Sequence, residues 1–399
     1  MPKVHVKSSA AARLKRGGMW VFSNEVREQL TSFARGQTVE LVGPGGQELG
    51  VACMEPNSLI AARRMAPPGT DLDRSYFLSR FRRAIAERTR LVGGDVYRMV
   101  FSEADLLPGL IVDRYGGVLA LQLLTWGMES LKEEVVGALK DALDPEAIVF
   151  CNESDARRDA GLSTENAHLA VKEGIDLTRH LVDIEGLTIR VDFLTSQKTG
   201  LFLDQRASYR TVGAVDFSGL RGFDLFCYSG IFGMIALRRG AKHLVFVDSS
   251  EPALDMLRDN LERNGFPPPL YEVRRSDVMQ FLPSVPERSA DFAFVDPPKF
   301  IKSRKHYYQG LQGYFLLNRE VVRTLRDGGL LFTFSCSHHA SPEVFRKKVV
   351  DAIEKNGRAA SELCTFRQNV DHPVPIASEE SLYLKGHLFK IDGEYGGTS

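Results

Sequence analysis

The sequence predicts a multidomain α/β protein whose C-terminal half is a doubly wound sheet, mixed but mostly parallel. Three observations carry this. At 399 residues the chain exceeds one ordinary domain. Short apolar runs between Gly- and Pro-rich turns mark a small β-module near the start. From about Asp204 onward, strand-like and helix-like segments alternate strictly, as parallel strands joined by crossover helices do.

Taken in order, Thr38 to Met65 reads as short strands around Gly-Pro-Gly-Gly and Pro-Asn turns. DLDRSYFLSRFRRAIAERTRLV has helical spacing of apolar residues behind an Asp-rich N-cap. A mixed middle region follows, with strands at GLIVDRYGGVLALQLL and AIVFCN and one amphipathic helix at MESLKEEVVGALKDAL. HLVDIEGLTIRVDFLT is again β-rich. Then helix DQRASYRTVGAV leads into strand GFDLFCYSG, helix IFGMIALRRG, strand HLVFVDSS, helix PALDMLRDNLERNG and strand YEVRRSD. Strand DFAFVDPP, a long helix through GYFLLNREVVRTLRDGG, strand LLFTFSC and helix PEVFRKKVVDAIEKNG complete the alternation. The closing ELCTFRQNV and YLKGHLFKI have no helix between them, which predicts an antiparallel hairpin at the sheet edge.

Hydrophobic residues at 43% and charged residues at 26% are the balance of a soluble globular protein. No apolar run reaches membrane-spanning length, and the basic N-terminus lacks the apolar core of a secretory signal. Cys53, Cys151, Cys227, Cys336 and Cys364 are odd in number, far apart and form no C-x-x-C pair. They argue against a disulfide framework or zinc ribbon and for a cytoplasmic location. Lys+Arg and Asp+Glu stand at 51 each, so a nucleic-acid partner would need local basic patches. Two exist, Arg74 to Arg90 and Lys299 to Gly310; the first also reads as the solvated face of a helix.

The first strand-to-helix turn of the alternating half, DLFCYSGIFG, carries only Gly230 and Gly233. A pyrophosphate needs close backbone approach at several points, so a dinucleotide site would want more glycines. S-adenosylmethionine, a cofactor without phosphates, needs fewer, and acids recur where it would need them. Asp224 lies in the first strand, within reach of an amino group directly or through water. Asp248 ends the second strand, where a carboxylate accepts ribose hydroxyls. Asp277 ends the third, placed for the adenine amine, and Asp296 ends the fourth. Each acid alone also reads as a helix cap. Phe226, Tyr228, Gly230 and Ser249 on the same strand ends complete the expected cofactor-binding set.

The fourth strand runs into FAFVDPPKF, where two prolines set a rigid turn directly after Asp296. The fifth delivers Cys336, in FTFSCSHHAS, to the same rim, so Asp296 and Cys336 should converge. A thiolate beside an acid suits methylation of cytosine carbon-5: attack at carbon-6 makes the ring an enamine, and Asp296 supports protonation at ring nitrogen 3. An unperturbed thiol titrates at roughly 8.5, so the site must favour the thiolate. Helix N-terminal amides expected after Ser337, a sulfonium charge, and His338 or His339 are the sources the sequence offers. Cys336 also reads as a small residue at a tight strand exit. With His338 and His339 it lacks a second ligand pair, so no metal is expected. Lys299, Lys302, Arg304, Lys305, His306, Tyr307 and Tyr308 form a basic, aromatic loop after the Asp296 turn, where RNA phosphates and bases would be met.

QKTGLFLDQR, DLFCYSG, DPPKF, FSCS and DHPVPIASEESLYLKG together resemble the bacterial ribosomal RNA large subunit methyltransferase I family. ARLKRGGMWVFSNEV looks like that family's RNA-binding PUA domain, and SEADLLPGLIVDRYG like its central domain. The resemblance covers essentially the whole chain. It implies a PUA-like domain over 1–70, a central α/β domain over 71–187 and a class I, Rossmann-like methyltransferase domain over 188–399. It also implies S-adenosylmethionine as cofactor, 23S ribosomal RNA as partner, Cys336 as nucleophile, Asp224, Asp248, Asp277 and Asp296 as cofactor and target-base residues, and Gln205 and Arg206 bordering the substrate. A homodimer is compatible with it; a membrane partner is not expected. Where broader groups of RNA 5-methylcytosine enzymes carry a second cysteine in the fourth-strand motif, Pro298-Lys299 stands here. The base for the carbon-5 proton is thereby unassigned. Two other readings compete: a non-covalent methyltransferase acting on a guanine nitrogen, which needs no cysteine at the fifth strand, and a non-catalytic RNA-binding protein.

Overall fold

The computed structural model describes residues 1–170, 172–194, 198–301, 303–377 and 381–394. The chain divides into two compact units. The first comprises Met1–Val182, Val191–Leu203 and Val370–Glu379, the second Asp183–Arg190, Asp204–Asn369 and Glu380–Ser399.

The first unit holds two sheets. One has the order β1-β3-β4-β5-β2, from β1 (Lys3–His5), β2 (Trp20–Phe22), β3 (Thr38–Val42), β4 (Glu48–Met54) and β5 (Ile60–Ala66), with helix α1 (Ser8–Lys15). Val4, Leu14, Val21, Val39 and Leu41 close its core. The other sheet follows α2 (Arg74–Leu91), and is built from β6 (Val96–Phe101), β7 (Leu110–Tyr115), β8 (Val118–Leu123), β9 (Ala147–Phe150) and β10 (Ala167–Ala170) in the order β10-β9-β8-β7-β6. Helices α3 (Trp126–Ser130), α4 (Lys132–Leu143) and α5 (Asp155–Ala160) connect its later strands.

The single helix expected after β8 is two, because Leu131 caps α3 at φ −101° and ψ 13°. Asp73 caps α2 by accepting from Tyr76 N–H, as the Asp-rich start predicts. The basic character of α2 is only partly a solvent matter. Tyr76, Phe77, Phe81 and Ala84 face inward, and the buried Arg88 donates to Asp105 at 2.7 Å.

Strands β11 (His180–Ile184) and β12 (Leu187–Val191) form a hairpin whose loop residues Glu185 and Gly186 both have positive φ, 52° and 78°. That is the left-handed pair a two-residue turn requires.

The second unit alternates as read. Helix α6 (Arg206–Gly213) precedes β13 (Arg221–Leu225), α7 (Ile231–Arg238), β14 (His243–Asp248), α8 (Glu251–Arg263), β15 (Tyr271–Arg275), α9 (Val278–Phe281) and β16 (Ala290–Val295). Helix α10 (Tyr307–Thr324), β17 (Leu325–Ser335), α11 (Pro342–Lys355), β18 (Arg358–Arg367) and β19 (Lys385–Glu394) follow. The sheet order is β15-β14-β13-β16-β17-β19-β18. Its first five strands pair in parallel, while β19 is antiparallel to both β17 and β18. Chain order reverses between β13 and β16, and ligands bind beyond the carboxyl ends of strands at such a switch point.

Helix α10 ends at Thr324 instead of running through Arg326 to Gly329. Leu325 already pairs with Ala290 of β16, so the sheet claims the segment first. The central strands are apolar on both faces because helices cover both: Phe292, Phe294 and Phe332 are fully buried, with Phe217 packed edge-on against Phe292.

Candidate active site

The turn after β13 is conformationally demanding. Phe226, Tyr228 and Gly230 have φ of 58°, 48° and 77°, so every second residue lies in the left-handed region. For the two aromatic residues this costs about 1–3 kcal/mol each and persists only where the surroundings over-determine it. Asp248, at the end of β14, supplies that constraint. Its Oδ2 accepts from Tyr228 N–H at 3.0 Å and its Oδ1 from Ser250 N–H at 2.9 Å. Asp224 braces the other side, accepting from Gly233 N–H at 2.9 Å. Close packing dictates glycine at two places: a Cβ on Gly230 would stand 2.2 Å from Leu257 Cδ1, and one on Gly233 2.2 Å from Phe246 Cε1.

Asp224 is nearly fully buried, and burial pushes its carboxyl well above the usual carboxylate range, with Asp296 and Asp248 adding to the rise. Asp277 lies two residues beyond β15, exposed, where it caps α9 through Gln280 N–H. Ser249 is exposed beside Asp248.

At the ends of β16 and β17 the register sets Val295 beside Thr333, so Asp296 and Cys336 leave adjacent strands over the same edge. Asp296 Oδ2 accepts from Gln205 Nε2 at 2.9 Å, and Gln205 Oε1 in turn accepts from Ser208 Oγ at 2.8 Å. Gln205 is buried, so its amide orientation is held from both ends. Arg206 turns instead to Glu185, at 3.1 Å.

Cys336 is half-buried between two buried serines. Tyr314 Oη, from α10, accepts from Ser335 Oγ at 2.9 Å and shares a proton with Ser337 Oγ at 2.7 Å. Ile301 N–H, in the basic loop, also donates to Ser337 Oγ, at 3.3 Å. The hydroxyls of the two flanking residues therefore anchor the segment that carries the thiol. They hold it to a helix on one side and to the loop after Asp296 on the other.

The amides expected after Ser337 are not those of a helix. Helix α11 starts at Pro342 behind the Ser341 cap. Lys385 fills that space: its Nζ donates to Ser337 O at 2.5 Å and to Ala340 O at 2.7 Å, which draws Ser337–Ala340 into a loop before the helix can start. Burial lowers the Lys385 ammonium to about 8, the Cys336 thiolate field opposing that fall and Lys299 adding to it. By contrast, burial pushes the Cys53 and Cys151 thiols up to about 12, and the Cys227 thiol well above its ordinary value, which suits structural cysteines.

In the basic loop Arg304, Lys305, His306 and Tyr308 are exposed, Lys299 and Tyr307 half-buried. Tyr308 is 83% exposed, an aromatic face open to a stacking partner. Lys302 lies outside the described residues, as does Gln197 of the QKTGLFLDQR motif.

Four residues of the site escaped the sequence reading: Lys385, Tyr314, Tyr209 and Asp204. Asp204 is buried, accepts from the Tyr383 hydroxyl on Oδ2 at 2.6 Å, and has no hydrogen-bond partner for Oδ1 among the described residues. Tyr209 is buried among Asp296, Asp204 and Asp224, whose charges add to burial in raising its hydroxyl pKa. Adjacency to Gln205 was the one signal for Asp204; nothing local marks the others.

A phosphate-free nucleoside cofactor fits these residues. Each carboxylate oxygen accepts about two hydrogen bonds, so Asp248 can hold the turn and still accept ribose hydroxyls. The orphan Asp204 Oδ1 calls for a donor, which the amino-acid part of S-adenosylmethionine or the exocyclic amine of a base supplies. Among the described residues no cluster of three or more His, Cys, Asp or Glu could hold a metal ion, and no helix is long and apolar enough to cross a membrane.

Comparison with known proteins bears on the fold and the family. A PUA-like domain model matches residues 4–67, and the family model described as conserved hypothetical protein 95 matches residues 206–326. In solved structures the fold resembles a SAM-dependent methyltransferase from Streptococcus mutans at a TM-score of 0.80 and 20% identity, covering 98% of this chain and 100% of that one. A second methyltransferase structure, complexed with SAH, gives a TM-score of 0.82 at 20% identity over the same shares. The fold of the second unit is thus that of the class I methyltransferases, beside an N-terminal PUA-like domain. The ribosomal RNA large subunit methyltransferase I of Escherichia coli is 33% identical over 395 residues, which is 95% of this chain and 96% of that protein. At that identity over nearly the full length of both, the chain belongs to the ribosomal RNA large subunit methyltransferase I family.

Proposed function

We propose that this protein transfers a methyl group from S-adenosylmethionine to carbon-5 of a cytosine in large-subunit (23S) ribosomal RNA, through a covalent adduct with Cys336. The observation that carries the reading is the anchored thiol: Cys336 is held by Ser335, Ser337 and Tyr314 on the strand next to the one that delivers Asp296. A methyltransferase acting on a base nitrogen has no use for a thiol so placed.

The cofactor, when bound, supplies a sulfonium methyl. Asp248 would hold its ribose, the Phe226–Gly230 turn its amino-acid part, and Asp277 the adenine side. Cys336 Sγ adds to carbon-6 of the ring, which makes carbon-5 the nucleophile. Asp296, oriented by Gln205, holds the ring edge and supports protonation at nitrogen 3 during that addition. Loss of the carbon-5 proton to a base, with return of the nitrogen-3 proton to Asp296, then expels Sγ as the thiolate and restores aromaticity. Lys299, Arg304, Lys305 and Tyr307 engage RNA phosphates and bases at the rim, with Lys302 and Arg206 assigned to the same role. The parts of the chain divide the work as 1–70 for RNA binding, 71–187 for positioning and 188–399 for chemistry, in the cytoplasm.

The deciding experiment is covalent trapping. Wild type and Cys336→Ala are incubated with S-adenosylmethionine and ribosomal RNA containing 5-fluorocytosine, and denaturant-stable protein–RNA adducts are sought. Fluorine cannot leave as a proton does, so an adduct with wild type alone is expected. Methylation of unmodified RNA with no adduct would replace this reading by non-covalent transfer to a base nitrogen.

A further inference from the structure

Lys385 stands out because a lysine with 4% of its surface exposed is rare, and its Nζ donates to two neutral carbonyls. Burying an ammonium without an anion is costly, so such a group calls for a nearby negative charge. The sheet register supplies the candidate. Lys385 lies opposite Ser335 in the β17–β19 register, and its Nζ donates to Ser337 O, so it is placed against the residues on both sides of Cys336. Two of its three N–H directions serve the carbonyls of Ser337 and Ala340, which leaves one.

We propose that Lys385 is the positioning residue that makes Cys336 a nucleophile, shaping its loop through two carbonyls and serving as the buried counter-charge of its thiolate. Activation moves one proton: the Cys336 S–H bond breaks and an N–H bond forms on neutral Lys385 Nζ, giving a thiolate–ammonium pair. When Sγ later leaves carbon-6 it returns as the thiolate beside the same ammonium, so no further proton is required. The proposal rests on Cys336 being the nucleophile.

The charged and titratable groups around this pair come from each neighbouring element. Lys299, on the loop after β16, opposes a proton on Lys385, and the Cys336 thiolate favours one. Tyr314 of α10 is committed to Ser335 and Ser337. On β18, Arg367 is exposed opposite Lys385. Glu362 of β18 is engaged by Arg346 of α11 and His387 of β19. His338 lies tilted against Tyr383, with 5.2 Å between ring centres.

The test is the pH dependence of Cys336 alkylation by iodoacetamide, read on the Cys336 peptide by mass spectrometry. It needs neither RNA nor cofactor. Wild type should alkylate with a midpoint at least one pH unit below the ordinary thiol value of about 8.5. Lys385→Met should move the midpoint up by about one unit or more and slow alkylation at pH 7 about 10-fold. Lys385→Arg should restore most of the shift, and the acid limb of kcat should move with the midpoint while KM for RNA stays. Coincident profiles for wild type and Lys385→Met would overturn the proposal. So would a wild-type midpoint at the ordinary thiol value, which decides the matter even if Lys385→Met fails to fold. Failure of fluorocytosine trapping would instead remove the nucleophile itself, so the two results separate.

Discussion

At one end of the catalytic rim, Asp248 reaches Tyr228 N–H 20 residues back and Ser250 N–H two residues on, and Asp277 caps a helix through a residue three positions away. At the other end, Asp296 is held by Gln205 from 91 residues away, Ser337 by Tyr314 from 23, and the loop after Cys336 by Lys385 from 48 and 45. The end proposed for the cofactor is thus built within one β-α-β unit, β13 to β14, and from a helix cap. The reaction end exists only once α10, β17 and β19 are assembled against each other. On the proposed assignment, binding and chemistry should therefore be separable by mutation, even though both sets of residues share one sheet edge.

The largest expected effect is at the reaction end. Cys336→Ala should reduce methyl transfer about 10³-fold or more, with S-adenosylmethionine affinity by calorimetry within about twofold of wild type. Turnover that survives in this variant removes Cys336 from the chemistry. Asp248→Ala should do the reverse, weakening cofactor binding about 10- to 100-fold by releasing two backbone amides and the ribose contact, with kcat at saturating cofactor little changed. An unaltered titration curve would take Asp248 out of the site. Tyr314→Phe leaves two buried serine hydroxyls without their shared partner and should cost about 1–3 kcal/mol in a denaturant midpoint. It should lower kcat without touching cofactor affinity, and a loss of affinity instead would erase the contrast between the two ends. Asp277→Ala should be mildest, about 1 kcal/mol for one helix cap and a smaller loss of cofactor affinity than Asp248→Ala. A larger loss than at Asp248 would reverse their order.

Legibility followed the same divide. The alternation from Asp204 onward could be read directly, because each strand and helix carries its own apolar period and its own turn residues. The positions of Asp224, Asp248, Asp277 and Asp296 came with it, since strand ends are local features. The break at Leu131 was invisible because the apolar spacing of the surrounding residues continues through it. The end of α10 at Thr324 was missed because pairing of Leu325 with Ala290 overrides local helix preference. The start of α11 at Pro342 was read correctly, but the loop of Ser337 to Ala340 was not, because nothing in SCSHHAS reveals that a lysine 48 residues on takes the carbonyl of Ser337.

What the amino-acid order determined by itself is therefore the alternating α/β architecture, the glycine-poor turn and the row of strand-end acids, all legible from local apolar periods and turn residues. Only the tertiary structure decided what anchors the thiol, which partner holds Asp296, and where Lys385 and Asp204 fall. Those contacts join segments that are distant in the chain. Lysine and aspartate are so often surface residues that their burial shows only after the sheet has closed over them.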